Sequence, residues 1–422
     1  MKKRQTAFLI SLLSIFLLTG CTQPNSNPSS VEQSKEQPSS AEPSSEQPSS
    51  SATPSSASSS QTAGSEAAPQ TVPATQPEND IHTELQYSFL KDDWKNIKTY
   101  IPSVNAEDNK KHDDLSAPRG LAMKFADVAD ASTYYIQYSK TQDFSNAVIH
   151  TATEKVYYNQ IAEINTTYYY KAATSEAGLA SAAVKTVTSA DIAPRNVKVD
   201  GVINFRDVGG WKSSLIPNGA VKQGLYYRCA QFNSGRTTTI TAAGKATIKE
   251  LGIKVDIDMR DSYNVPSTSP ISTTDWPVEI LKGSVASGTE DGRWEGTHSR
   301  DTGIAATYKK IFEAIAVADE KPIALHCTHG ADRTGIVSFF LLALCGVCKE
   351  DCGRDYVLTR FAGERAVLPD NEIKNWMDKT DALQGATFAE KTYNHLKNDF
   401  NISVDTLETI REKFVPGYHR AA

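Results

Sequence analysis

The chain divides by the texture of its apolar positions. Residues 7–18 (AFLISLLSIFLL) form one unbroken apolar run behind Lys2, Lys3 and Arg4, whereas residues 22–79 are Ser, Pro, Glu and Gln with almost nothing apolar. Residues 113–190 then alternate in short runs rich in Tyr, Val, Ile and Thr: STYYIQYS, NAVIHTAT, KVYYNQIA, TTYYYKAAT and AAVKTVTS. Period-two alternation bounded by polar turns predicts strands, and five at this spacing predict an all-β sandwich. Tyrosines alternating on such strands are expected as core and cross-strand pairs, with a recognition surface for a ligand as the other reading. Residues 81–112, with FLKDDWKNIKTY, are expected to give a short helix or an extra edge segment. From about 196 the pattern changes again. KVDGVINFRDVGGW and GLYYRCAQF read as short strands with a Gly turn, TAAGKATIKELGIK as a helix from about Thr241 to Leu251, and VDIDMR as a buried strand. A helix (TGIAATYKKIFEAIAVA), a strand (KPIALH) and a second helix (TGIVSFFLLALCG) follow. Strands alternating with helices predict an α/β domain on a mainly parallel sheet, spanning 196–415.

The N-terminal run is short for a membrane span and has the build of a secretory signal, covering residues 1–20. It ends in LTGC, which resembles a bacterial lipobox, so the resemblance makes Cys21 a lipid-carrying residue that anchors the chain to the extracellular face of a bacterial membrane. Residues 21–80 cannot bury enough surface to offset their ordering entropy and are expected to be a disordered tether. At ~6 Å × √n such a coil holds the body roughly 45 Å from the membrane. The net charge of −6 is mild and forms no basic stripe, which argues against nucleic acid as a partner.

Candidate chemistry concentrates in HCTHGADRTG, residues 326–335, between the strand KPIALH and the following helix. In an open α/β sheet, ligands sit where the carboxyl ends of strands feed helix N-termini. A loop bent at Gly330 can turn successive N–H groups inward as an anion cradle. A cysteine on its floor, Cys327, gains thiolate character from those N–H groups and from Arg333. The Arg333 guanidinium offers the planar fork that grips two phosphate oxygens. Phosphate binding is expected along Thr328, His329, Gly330, Ala331, Asp332 and Arg333.

The set His326, Cys327, Gly330, Arg333, Thr334 and Gly335 resembles the signature of the protein tyrosine phosphatase superfamily. NFRDVGG (204–210), LYYRCAQF (225–232) and DIDMRD (256–261) resemble a branch of secreted or dual-specificity bacterial tyrosine phosphatases. The resemblance implies that Cys327 attacks phosphorus to form a phosphocysteine, that Arg333 holds the phosphoryl oxygens, that His326 orients the loop, and that the Thr334 hydroxyl assists release of the thiolate. Asp332 is the first choice for the acid that protonates the leaving oxygen, with loop stabilisation or N-capping as its other role. Asp301, in the segment before the catalytic strand, and Asp275, before Trp276-Pro277, are further acid candidates. Asp258, Arg206 and Asp207 are expected to support rather than react. The resemblance implies no metal and no organic cofactor.

The sandwich in turn resembles a fibronectin type III domain, with Tyr168–Tyr170 in its late tyrosine-bearing strand. Two departures from the phosphatase branch stand out: His329 replaces a common alanine, and Ala331 replaces the lysine credited with gripping phosphoinositide headgroups. The expected substrate is therefore a phosphorylated protein, phosphotyrosine first. Alternatives are a phytase or phosphoinositide phosphatase, a surface phosphate-recognition or adhesion module with little turnover, and a rhodanese-like sulfur carrier. Cys345, Cys348 and Cys352 crowd LCGVCKEDCGRD, and together with Cys229 they leave open both a disulfide within the cluster and buried free thiols.

Overall fold

The computed structural model describes residues 66–92, 114–233, 239–261, 264–283, 294, 304–318, 321–362 and 370–421. The apolar leader, Cys21, most of the polar stretch and Asp301 lie outside them. The end of the expected tether is packed rather than free. Gln70 is buried, donating its amide to Ala193 O at 3.0 Å and accepting from the Ala193 N–H at 2.6 Å. Its own N–H meets the Asp351 carboxylate at 2.8 Å. Matched hydrogen bonds let a polar residue bury there, something composition cannot reveal.

Helix α1 (Glu84–Lys91) starts at a capping box between Thr83 and Gln86 and buries Phe89 and Leu90. Strands β1 (Leu121–Lys124), β2 (Tyr134–Ser139), β3 (Val148–Ala152), β4 (Val156–Asn159), β5 (Thr167–Ala173) and β6 (Lys185–Thr188) follow. β1 pairs with β4, and the other four form a sheet in the order β3-β2-β5-β6, every pairing antiparallel. Tyr168, Tyr170 and Ala172 of β5 point inward on alternate positions, with Tyr134, Ile136 and Tyr138 of β2 in the same core. Burial of alternate side chains on both strands is what fixes this register.

The α/β part begins with β7 (Arg195–Asn196), β8 (Arg206–Asp207), the short hairpin β9 (Lys212–Ser213) and β10 (Gly219–Ala220), and β11 (Tyr226–Cys229). Next come α2 (Ala242–Glu250), β12 (Val255–Asp258), β13 (Glu279–Lys282), α3 (Ile304–Ile315) and β14 (Ile323–His326). Helices α4 (Asp332–Leu344), α5 (Lys349–Val357), α6 (Asp370–Asp381), α7 (Phe388–Asn398) and α8 (Val404–Phe414) complete the described chain. The sheet runs β13-β12-β14-β11-β8-β7. Its first four strands are parallel, and β8 and β7 add an antiparallel edge, so the sheet is mixed. β11, β12 and β14 are buried on both faces, as parallel strands covered by helices must be.

Strands β1–β6 and the α/β part pack on each other. Tyr138 donates to Glu250 at 2.7 Å, and the Gln223 amide accepts from Ile164 N–H at 2.9 Å while donating to Ile164 O at 3.0 Å. Cys345, Cys348 and Cys352 are buried free thiols, as is Cys229. Burial pushes the Cys345 thiol up to about 12, which keeps it protonated and inert.

Candidate active site

Strand β14 ends at His326, in register with Asp258 of β12 on one side and Cys229 of β11 on the other. The chain then turns through Cys327–Ala331 into α4. Gly330 makes the turn possible. Its φ is +67°, and a Cβ there would lie 2.3 Å from the Cys229 carbonyl oxygen. Gly335, one turn into α4, lets the helix approach the Tyr356 ring, from which an added Cβ would be 2.7 Å.

Every carbonyl from Cys327 to Ala331 is held by a donor from outside the bend. His326 Nδ1 lies 3.1 Å from Cys327 O, and Gln231 N–H donates to Thr328 O at 3.3 Å. The Asn204 amide donates to His329 O at 3.0 Å and Gly330 O at 3.2 Å. Arg228 Nη2 donates to Gly330 O at 2.8 Å, and Gly335 N–H to Ala331 O at 2.6 Å. A peptide's N–H and C=O point opposite ways. Tying back the carbonyls therefore turns the N–H groups into the bowl, forming an anion nest at the start of α4.

The outer tethers are themselves anchored. Asp355 receives Arg206 Nε at 2.9 Å and Arg228 Nη1 at 2.5 Å, and all three residues are buried. Burial and the adjacent Arg228 charge press Arg206 down to about 10, so it stays charged at neutral pH. Burial opposes ionisation of Asp355, but the two guanidinium groups outweigh it and hold the carboxyl below its usual range. Arg206 also bonds Asn204 Oδ1 and Thr359 Oγ1, closing the network.

Cys327 is nearly inaccessible at 3% exposure. Burial raises its thiol, yet the Arg333 charge and the Thr334 hydroxyl and N–H outweigh that and leave it lowered overall, against a smaller opposing push from Asp332. Among the described residues the buried Thr334 hydroxyl has no oxygen or nitrogen partner, and its bond toward the sulfur is one of the causes that lower the thiol. Arg333 donates to Met259 O and to Thr328 Oγ1, each at 3.2 Å, and its Nη1 lies 3.9 Å from Asp261. His326 Nε2 lies 3.0 Å from Asp256 and 3.8 Å from Asp258. Although burial opposes its charge, those carboxylates raise its pKa.

The structure gathers His326, Cys327, Thr328, Gly330, Ala331, Asp332, Arg333, Thr334 and Gly335 at one strand-to-helix turn. His329 shares that turn, its carbonyl held by Asn204. Asp258 supports from the adjacent strand, where it binds Arg260. Arg206 braces the loop through Asp355. Asp207 faces elsewhere: its carboxylate takes Arg195 at 2.8 Å and the N–H groups of Gly209 and Gly224. Asp275 is an exposed residue paired with Lys249 at 2.6 Å and accepting from the Thr273 hydroxyl at 2.8 Å. Sequence reasoning did not single out Asn204, Arg228, Gln231, Asp355, Thr359 or Asp261. Only the Arg and Asn in NFRD and LYYRC, polar residues inside otherwise apolar strand sequence, offered a signal.

A buried thiol lowered by Arg333 and Thr334, an arginine fork and an N–H nest define a phosphate-handling site. The tyrosine phosphatase family model matches residues 197–421, more than half of the chain, and the chain belongs to that family as a tyrosine-phosphatase-like hydrolase. A tyrosine-protein phosphatase of Nostoc commune is 28% identical over 214 residues, covering 43% of this chain and 68% of the relative. A Cupriavidus necator protein with a provisional tyrosine-protein phosphatase name is 26% identical over 172 residues. That match covers 37% of this chain and 60% of the relative, so less than two thirds of its length is spanned. Among solved structures, P. aeruginosa TpbA is similar at 17% identity and a TM-score of 0.29, covering 44% of this chain and 97% of that one. Its cysteine-to-serine variant in complex with pTyr matches at 17% and 0.27, covering 44% and 96%.

Proposed function

We propose that this chain hydrolyses phosphomonoesters, phosphotyrosine in proteins first, through a phosphocysteine at Cys327. The observation that carries the reading is the pairing of a lowered buried thiol with five tied-back carbonyls and Arg333 at one helix N-terminus. In the first step Cys327 Sγ attacks phosphorus, the P–O bond to the leaving group breaks, and the Asp332 carboxyl gives that oxygen its proton. In the second, water attacks phosphorus, the P–S bond breaks and Asp332 takes the water's proton. Inorganic phosphate and the thiolate are released, the latter stabilised by Thr334. Arg333 and the loop N–H groups bear the spreading charge in both steps.

The domain reading that accompanies it is a leader over 1–20, a lipid at Cys21, a tether, and a fibronectin III-like module ahead of the enzyme. Support for the module is the antiparallel β3-β2-β5-β6 sheet sharing a buried core with the β1-β4 pair, and the Tyr168 hydroxyl that accepts from Glu163 N–H at 2.8 Å. A tyrosine reaching back at a strand corner in this way typifies Greek-key sandwiches. Support for the anchor is the basic, then apolar, then Cys-terminated leader.

The deciding experiment compares wild type, Cys327→Ser and Asp332→Ala on p-nitrophenyl phosphate, a phosphotyrosine peptide, phytate and a phosphoinositide, with EDTA present. Peptide turnover abolished in Cys327→Ser supports the reading. Preference for phytate or phosphoinositide moves the substrate class, and a folded but inert wild type leaves a recognition module.

A further inference from the structure

The loop's support does not end within the family-matched region. Asn204, whose amide holds the carbonyls of His329 and Gly330, is buried in a left-handed conformation with φ +58°. A non-glycine residue there needs holding by its surroundings. Its backbone N–H donates to Ser116 Oγ at 2.8 Å, a residue 88 positions earlier and ahead of β1.

Ser116 is fixed from several sides. Its N–H donates to Asp114 Oδ1 at 2.9 Å, and its hydroxyl donates to the same oxygen, which sets the rotor so that a lone pair meets Asn204. Its carbonyl accepts from Asn196 Nδ2 at 3.0 Å. Gln86 of α1 donates to the carbonyls on both sides, Leu115 O at 2.8 Å and Ala117 O at 2.9 Å. Leu115 N–H donates to Phe361 O at 2.7 Å, two residues beyond Thr359, and Phe89 of α1 meets the Phe361 ring edge-on at 5.5 Å.

We propose that Ser116 is a positioning residue for the reaction, acting through Asn204 to set the carbonyls of the phosphate loop. The working catalytic unit then includes the strap formed by α1 and residues 114–120, outside the span 197–421 that defines the family. Without the Ser116 acceptor, the buried Asn204 N–H loses its partner and the Asn204 amide loses its aim. The His329 and Gly330 peptides are then free to turn, and the N–H nest and the Cys327 thiolate both weaken. The turnover part of this inference rests on the phosphatase reading; the thiol and anion parts do not.

The test uses full-length wild type, Ser116→Ala, Ser116→Thr and Asp114→Asn, with Cys327→Ser as the blank. Five quantities are measured: kcat and KM on p-nitrophenyl phosphate, vanadate affinity, the pH of half-maximal Cys327 alkylation by iodoacetate followed by mass spectrometry, and the unfolding midpoint. Ser116→Ala is expected to lower kcat/KM and vanadate affinity by about 3- to 30-fold, the scale of one lost buried hydrogen bond. It should also raise the alkylation pH, while Ser116→Thr, which keeps the acceptor, restores all three readouts. Asp114→Asn keeps the serine but loosens its rotor and should shift the same readouts less, which covers the case of an unfolded Ser116→Ala. A lower unfolding midpoint with unchanged vanadate affinity and alkylation pH would overturn the proposal and leave Ser116 structural. A wild type without turnover would defeat the phosphatase reading alone, since vanadate binding and alkylation still report on the loop.

Discussion

Arg228 Nη2 stands 2.8 Å from the Gly330 carbonyl oxygen, so a buried side chain of β11 grips the bend between β14 and α4. The same guanidinium holds Asp355 of α5. The shape of the phosphate loop thus depends on a charge pair set behind it.

Replacing Asp355 with Asn should therefore be severe. Two buried guanidinium groups would lose their shared counter-charge, and breaking such a pair costs about 3–5 kcal/mol. Urea denaturation of the variant should show that loss, with phosphatase activity falling in the folded remainder. A stability within about 1 kcal/mol of wild type would show that the pair does not carry the loop.

Alkylation of Cys327 should proceed at a pH below the ordinary thiol range, since Arg333 and Thr334 outweigh burial. Arg333 favours the thiolate by its positive charge, so Arg333→Met should move the pH of half-maximal alkylation upward. An unchanged profile would assign the lowered thiol to the loop N–H groups and Thr334 alone.

His326 should make stability depend on pH in a defined direction. Its pKa is raised in the folded state, by Asp256 and Asp258 against burial. The stabilisation it contributes is fully present below the unfolded value near 6.5 and is lost as pH rises through the folded value. The gap in unfolding midpoint between wild type and His326→Asn should be widest below about pH 6 and should narrow above neutrality. A gap independent of pH would mean that the ring acts by shape alone.

Gly335→Ala places a Cβ 2.7 Å from the Tyr356 ring and should destabilise by about 1–3 kcal/mol, as overpacking does. Calorimetry would show it as a lower midpoint.

Two aspartates separate support from chemistry. Asp332→Asn should reduce turnover of a phosphotyrosine peptide by about 10²-fold or more while sparing the activated p-nitrophenyl ester, the signature of a lost general acid. Asp275→Asn removes only an exposed pair with Lys249 and should leave both rates unchanged. Equal effects of Asp332→Asn on the two substrates would make it a loop-stabilising residue.

Much of the site was legible because it is local. Cys327, Gly330, Arg333 and Thr334 follow one another through a single strand-to-helix turn, and short spacing carries their geometry. Support from a distance was not legible. Asn204 from the bend before β8, Arg228 of β11 and Asp355 of α5 come from three separate stretches of the chain and share no spacing with the loop. Asp207, like Arg206, read as a supporting residue of the site, but neighbours on a strand point to opposite faces, so Asp207 binds Arg195 while Arg206 reaches Asp355. The polar tether looked uniform, yet Gln70 pairs with Ala193 through matched bonds that composition does not encode.

The sequence by itself determined strands β2–β6, the alternation of β11, α2, β12, α3, β14 and α4, the alternating tyrosine core and the Cys-x5-Arg turn, since periodicity and local turn chemistry are properties of neighbouring residues. Only the tertiary structure decided which aspartates stand behind the loop, that β8 and β7 form an antiparallel edge, and that Ser116 reaches Asn204. Those outcomes depend on which distant buried donors and acceptors satisfy one another, and the folded chain alone brings them within bonding distance.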